Sequence, residues 1–309
     1  MTAEGITPAV AEWAERVTPG ARVAGCTVRP LAGGSVARWV EQLTLHLSGG
    51  HAPLELVRKE AAAHEIAGLS AAQAARADDT AIPELVAYGS DWLITPFAAG
   101  VPLDWGDPVP ANLFDTLAAL HARYHGGAGL PAAIPRVTPA WWRALCLDWV
   151  DPGLRAQAAR HPAATTARAR ALIGRAASLP AASAVLASLP PTLLHGDVHP
   201  GNVLADPVLD DPGAGRATLI DWGGSRVGPA ALDLANLVTA DSADVARYAG
   251  TWLRLTGQPL AAGPLELGYR WAALQIPVQY LPWGAGHRPT RDVEAALDQI
   301  EQAMDRLSG

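Results

Sequence analysis

Between residues 39 and 47 the chain alternates, most plainly where Leu43, Leu45 and Leu47 are set against Gln42, Thr44 and His46. A period of two is the signature of a half-buried strand. Ser48-Gly49-Gly50-His51 then marks a turn, and Leu54-Glu55-Leu56-Val57 opens another strand, so residues 22–59 read as strands. Residues 60–77 (EAAAHEIAGLSAAQAARA) are alanine-rich and predict a helix by propensity. Leu85-Val86-Ala87-Tyr88 and Trp92-Leu93-Ile94-Thr95, joined by Gly89-Ser90-Asp91, predict a further pair of short strands. A short amphipathic helix over residues 6–17 precedes the set.

After Gly100 the period changes. Leu113, Leu117 and Leu120 recur at helical spacing within 110–125, and a second helical region spans about 140–188 until Pro190-Pro191 ends it. Leu193-Leu194, Val203-Leu204 and Thr218-Leu219-Ile220 read as short strands around loops, and 230–309 returns to helix. The pattern predicts an α+β chain: an antiparallel sheet with one main helix, then a mainly helical remainder with a small hairpin. The change of texture near residues 97–101 sets expected lobes at 1–98 and 99–309. Two lobes imply a cleft, the usual place for a ligand.

Composition narrows the chemistry. With 309 residues, 50% of them hydrophobic and 17% charged, the chain can bury a core in each lobe and does not read as disordered. A net charge of −7 argues against a nucleic-acid partner. Cys26 and Cys146 stand far apart with no CxxC spacing, which suits a reducing cytoplasm and neither a disulfide framework nor a zinc site. No apolar run is long enough for a membrane span, and the opening segment has no signal-peptide core. Of 23 basic residues only Lys59 is a lysine, and asparagine occurs only at 112, 202 and 236.

The segment with the most chemistry is Leu193-Leu194-His195-Gly196-Asp197-Val198-His199-Pro200-Gly201-Asn202, followed by Leu219-Ile220-Asp221-Trp222-Gly223. Asp197 and Asn202 form D-x-x-x-x-N, a loop of the kinase type, and Asp221 ends an apolar strand. Phosphoryl transfer needs such a set: one carboxylate to take the acceptor's proton, and one carboxylate and one amide oxygen to hold magnesium against nucleotide phosphates.

With Asp233-Leu234-Ala235 and Leu120-His121-Ala122, the ordered set resembles the aminoglycoside phosphotransferase and choline kinase family, from about residue 29 to 240. The resemblance implies a bilobal, protein-kinase-like fold and a magnesium-dependent transfer of the γ-phosphate of ATP or GTP to a hydroxyl. Acceptors in the family include aminoglycosides, amino alcohols and sugars. Asp197 then serves the acceptor hydroxyl, Asn202 and Asp221 the metal, and Asp233 a buried structural role beneath the catalytic loop. Gly33, Gly34 and Ser35 would cover the phosphates from a loop between strands. Strand 54–59 would supply the cation, Lys59 with Val57 on one face, or Arg58 on the other. Glu65, a turn into the helix, is the expected partner of that cation, with Glu60 as the alternative. Thr95-Pro96-Phe97-Ala98 resembles the hinge, where the Pro96 carbonyl and Ala98 N–H would meet the base. Proline at 96 departs from the family and leaves ATP and GTP both open.

Two other readings compete. A protein kinase usually carries arginine where this chain has Gly196, and only 11 residues lie between Asp221 and Asp233, too few for a full activation segment. A catalytically inactive nucleotide-binding module would be expected to lack one of Lys59, Asp197, Asn202 and Asp221, all of which are present. Acceptor specificity falls to residues 100–190 and to C-terminal helices carrying Trp252, Tyr269, Trp271, Tyr280 and Trp283, aromatic residues that serve either the core or a sugar or cationic group.

Overall fold

The computed structural model describes residues 7–31, 37–76, 80–206 and 215–309. They fall into two compact units, each discontinuous in sequence: Met1–Leu120 with Leu130–Ile134 and His195–Ser225, and His121–Gly129 with Pro135–Leu194 and Arg226–Gly309.

The first unit opens with α1 (Pro8–Val17), which Thr7 caps by accepting the Val10 N–H on its hydroxyl. Strands β1 (Val23–Pro30), β2 (Val40–Leu47) and β3 (Leu54–Glu60) precede helix α2 (Ala63–Ala72), and β4 (Ala87–Tyr88) and β5 (Trp92–Pro96) follow it. They form an antiparallel sheet in the order β1-β2-β3-β5-β4. Leu43, Leu45, Leu56 and Ile94 are buried with Val10, Trp13 and Ala14 of α1 in one apolar cluster. Cross-strand pairing sets Val57 opposite Gln42 and Thr95, and Lys59 opposite Val40 and Leu93. Since neighbours on a strand face opposite ways, Leu56 points into the core and Val57 and Lys59 do not share its face.

Helix α2 starts later than the alanine-rich run predicts. Glu60 remains in β3, with its N–H on Trp39 O, and Ala61 donates to Asp91 O. These two bonds hold the segment extended, so pairing overrides propensity there. The predicted strand at 85–88 shortens to Ala87–Tyr88.

The rest of this unit is a three-stranded sheet, β6 (Val101–Pro102), β8 (Val203–Ala205) and β9 (Ala217–Leu219), ordered β6-β8-β9. Gly100 lies so close to β8 that a Cβ there would sit 2.9 Å from the Ala205 carbonyl, contact only glycine tolerates. Helix α3 (Ala111–Arg123) carries Asn112, whose buried amide donates to Ala217 O at 3.2 Å and accepts from Ala217 N at 2.9 Å. One of the three asparagines thus acts as an extra strand edge.

The second unit holds α4 (Pro139–Ala144), which continues through a π-helical turn (Leu145–Val150) into α5 (Asp151–Ala156), then α6 (Ala163–Ala177), α7 (Pro180–Ser188), and the strand β7 (Pro191–Leu194). Strand β10 (Arg226–Pro229) pairs antiparallel with β7, and α8 (Ala231–Leu234), α9 (Ala243–Thr256), α10 (Ala262–His287) and α11 (Thr290–Ser308) follow. Its core gathers Trp142, Cys146, Ile173, Trp271, Leu274, Val278, Leu297 and Ile300. The Trp142 and Trp271 rings meet edge to face at 4.9 Å, and Trp142 Nε1 donates to Ala176 O. Asp233 is fully buried at 3.3 Å from His121 Nε2, whose Nδ1 is 2.9 Å from the Tyr248 hydroxyl.

Among the described residues no single helix is long and apolar enough to cross a membrane; α6 and α7 together reach that composition, across a 48° bend, and their apolar residues sit in this core.

Candidate active site

The segment from His195 to Ser225 folds with the first unit's sheet. His195 is fully buried and works at both ends of its ring. Nε2 donates to Ile220 O at 2.9 Å and Nδ1 accepts the Asp197 N–H at 3.3 Å. The imidazole thereby ties the Asp197 loop to the residue before Asp221. Trp222 packs edge-on against it at 4.9 Å. Asn202 sits in a short 3₁₀ turn and gives its Nδ2 to Asp197, at 2.9 Å to the carbonyl and 3.3 Å to Oδ2. With the amide N–H group spent on Asp197, the Asn202 side-chain oxygen remains an acceptor.

Asp221 has φ 61° and ψ 69°, the one non-glycine with positive φ among the described residues. The left-handed conformation ends β9 abruptly and starts the turn Trp222–Gly224. Gly224 brings that turn onto the Asp197 loop: a Cβ there would lie 2.8 Å from Asp197 Cβ and 2.9 Å from Gly196 C.

Lys59 reaches this point from β3. Its ammonium lies 2.6 Å from Glu65 Oε1 and 2.7 Å from Asp221 Oδ1. Arg58 faces the other way, bonds Glu41 through two nitrogens and stacks on Trp39 at 5.6 Å. Glu60 is engaged by Arg38 through its backbone N–H and guanidinium, both at 2.7 Å. The triad is therefore Lys59, Glu65 and Asp221, with Arg58 and Glu60 outside it.

Charges in the triad are strongly coupled. Burial works against the Lys59 ammonium, but Glu65 and Asp221 outweigh it and hold the amine above its ordinary range. Burial pushes the Glu65 carboxyl up in spite of Lys59. Asp221 also feels burial, yet Lys59, His195 and the Gly223 N–H bring its carboxyl below the usual range. The Asp221 side chain keeps 44% of its surface exposed, against 7% for Glu65. Of the two carboxylates, Asp221 is the one open to a ligand.

Other predicted positions are less closely joined. Gly33, Gly34 and Ser35 lie outside the described residues. Pro96 ends β5 opposite Leu56, and Phe97 N–H donates to Glu55 O, which leaves Ala98 as the next backbone donor along the segment. In the C-terminal helices Trp252 and Trp271 are core residues, whereas Trp283 is half exposed, stacked on His287 at 5.0 Å with Arg288 over its ring.

Sequence reasoning missed the contacts of α2 with the Asp221 turn. His64 Nε2 donates to Gly223 O at 2.8 Å, and a Cβ at Gly68 would overlap the Ser225 side chain. A signal was present: Gly68 interrupts an alanine-rich helix, at a cost of about 1 kcal/mol relative to alanine, so something must require it.

Comparison with known structures matches this architecture over nearly the whole chain. A choline kinase from Cryptosporidium parvum Iowa II aligns with a TM-score of 0.58 at 11% identity, covering 91% of this chain and 90% of that one. A putative fructosamine-3-kinase from Thermobifida fusca YX-ER1 aligns with a TM-score of 0.55 at 20% identity, over 96% and 98% of the two chains. A thermostable mutant of an aminoglycoside phosphotransferase gives 0.50 at 19% identity, over 92% and 96%. At these identities the likeness establishes the protein-kinase-like fold. No curated protein matches by sequence. The family model described as the phosphotransferase enzyme family matches residues 33–272, and the chain belongs to that family.

Proposed function

We propose that this protein transfers the γ-phosphate of ATP, with GTP as the alternative donor, to a hydroxyl of a small acceptor such as an aminoglycoside-like antibiotic, an amino alcohol or a sugar. The observation that carries the reading is the Lys59 ammonium held between Glu65 and Asp221, at 2.6 and 2.7 Å. A half-buried lysine oriented by one carboxylate and next to a second, more exposed one suits the grip on nucleotide phosphates. Asp197 lies across the Gly224 contact from that turn.

The donor set fits magnesium. Asn202 offers an amide oxygen and Asp221 a carboxylate, both hard ligands. Two protein ligands would leave the rest of the ion's shell to phosphates and water. Bound there, the ion would neutralise charge on the β and γ phosphates.

The protein's own part is positioning. Lys59, oriented by Glu65, moves from Asp221 to the α and β phosphates. Asp197 accepts the proton of the acceptor hydroxyl, whose oxygen bonds to the γ-phosphorus as the bond to the bridging oxygen breaks and the nucleoside diphosphate leaves. Pro96 and Ala98 would meet the base, and Gly33, Gly34 and Ser35 the phosphates. The nucleotide is thus assigned to residues 1–98, and catalysis and acceptor binding to 99–309. A relative of the same fold bound with ADP and hygromycin B supports both the nucleotide and the small acceptor.

The test is a nucleotide-consumption screen with ATP and GTP, with and without Mg²⁺, over aminoglycosides, amino alcohols and sugars, with the product identified by mass. A phosphorylated small molecule is the expected result. Tight nucleotide binding without turnover on any acceptor would favour the inactive module, and label appearing on protein would favour a protein kinase.

A further inference from the structure

The left-handed Asp221 needs restraint from outside its own turn. A residue with a Cβ gives up roughly 1–2 kcal/mol in that conformation, so surrounding contacts must over-determine it. Ser225 Oγ to Trp222 O at 2.6 Å and Trp222 Nε1 to Leu219 O at 3.0 Å are local to the turn and its strand. The restraint from α2 is different in kind, since that helix also carries Glu65.

His64, Glu65 and Gly68 lie at i, i+1 and i+4, on adjoining faces of α2. All three meet the turn. His64 Nε2 donates to Gly223 O at 2.8 Å. Glu65 Oε2 lies 3.6 Å from where a Cβ on Gly223 would stand. Gly68 admits the Ser225 side chain into the space its own would occupy. We infer that His64 is a positioning residue for Asp221: through the Gly223 carbonyl it makes the placement of the metal-binding carboxylate depend on the docking of the helix that holds Glu65 against Lys59. The inference rests on the phosphotransfer reading above and assigns a residue to the magnesium side of it.

The choice of histidine has a physical reason. Gly223 O needs a donor from a helix one side chain away, and Lys or Arg would supply one together with a permanent charge. A second fixed cation beside Lys59 would oppose entry of Mg²⁺. An imidazole N–H satisfies the carbonyl without that obligatory charge. Glycine at 68 is needed on the same face because any Cβ would push the helix off Ser225, and the Ser225 Cβ cannot rotate away.

The experiment uses the full chain and calorimetric binding of ADP with and without Mg²⁺, alongside the Mg²⁺ dependence of turnover and the melting temperature. His64→Ala is expected to weaken Mg²⁺-dependent ADP binding about fivefold to tenfold while metal-free ADP affinity stays within twofold. In turnover it should raise the Mg²⁺ concentration for half-maximal rate by a similar factor, with kcat largely recovered at saturation. His64→Gln, whose amide N–H can take the place of Nε2, should restore most of the loss. Gly68→Ala should shift Mg²⁺ dependence in the same direction by a separate route, which keeps the test open should His64→Ala not fold. A His64→Ala protein that melts lower yet keeps wild-type Mg²⁺ dependence would reduce the contact to packing and overturn the inference. A wild-type protein that binds ADP no better with Mg²⁺ would overturn the functional reading along with it.

Discussion

Lys59 is the single lysine among 23 basic residues, and its surroundings give the exception a reason. A compact ammonium fits between Glu65 and Asp221; a planar guanidinium fills a different volume and points its donors differently. Lys59→Arg should therefore lower kcat/KM for the nucleotide about tenfold or more, about 1.4 kcal/mol of transition-state stabilisation. Arg58→Lys is the control. It gives up a stack on Trp39 and one bond to Glu41 at a part-exposed site, so nucleotide kinetics should stay at wild type while stability falls by less than about 1 kcal/mol. Asp197→Ala and Asp221→Ala should separate by readout. The first should abolish transfer and leave nucleotide affinity within a few-fold; the second should also remove the Mg²⁺ dependence of nucleotide binding in a titration with and without the metal. Burial raises both thiols above their ordinary range. Burial pushes the Cys146 thiol from 9.0 up to about 12. A raised thiol pKa stabilises the fold fully below the unfolded value and is lost as pH climbs from 9 toward 12, by up to about 1.4 kcal/mol per pH unit. Denaturant midpoints against pH should show that slope in the wild type and a shallower one in Cys146→Ala.

At the scale of elements, the turn Trp222–Gly224 is the piece with least freedom to change. Gly224→Ala would place a Cβ 2.8 Å from Asp197 Cβ and against the Gly196 backbone, neither of which is a flexible tip. Turnover should fall at least a hundredfold, with a lower melting temperature, whereas Gly174→Ala, in an α6 position with open space around it, should be neutral or slightly stabilising. Helix α11 allows the opposite comparison. Arg168 bonds Glu294, Asp298 and Glu301 across to it, but these side chains are one-third to more than one-half exposed. Solvent screening holds such a network to about 1 kcal/mol or less. Leu297, fully buried in the core of the second unit, should cost about 2–5 kcal/mol as alanine. Chemical denaturation of Arg168→Ala and Leu297→Ala ranks the two. The helical spacing of Leu113, Leu117 and Leu120 in α3 and the alternation of β2 were legible because each depends on a local period. The start of α2 was not, because Glu60 and Ala61 are held extended by bonds to Trp39 and Asp91, residues outside the helix.

For the molecule as a whole, a ligand that binds only the folded state stabilises it by mass action, about 2.7 kcal/mol at a hundredfold excess over Kd. Mg²⁺ with nucleotide should therefore raise the melting temperature by a few degrees, and neither alone should match the pair. The sequence by itself determined the kinds of element, their order, and short motifs such as His195–Asn202, since short-range spacing and periodicity need no knowledge of what packs on what. It also singled out Lys59, Glu65, Asp197, Asn202 and Asp221. Only the tertiary structure decided which of Arg58 and Lys59, and which of Glu60 and Glu65, belong together with Asp221. Lys59 and Asp221 are 162 residues apart, and their contact depends on the register of β2, β3 and β5, on where α2 begins, and on a left-handed residue at the end of β9. The division into units that are not continuous in the chain was invisible for the same reason: no local pattern records that His195–Ser225 packs with the sheet of the first hundred residues, because the burial that holds it there is shared between segments far apart in sequence.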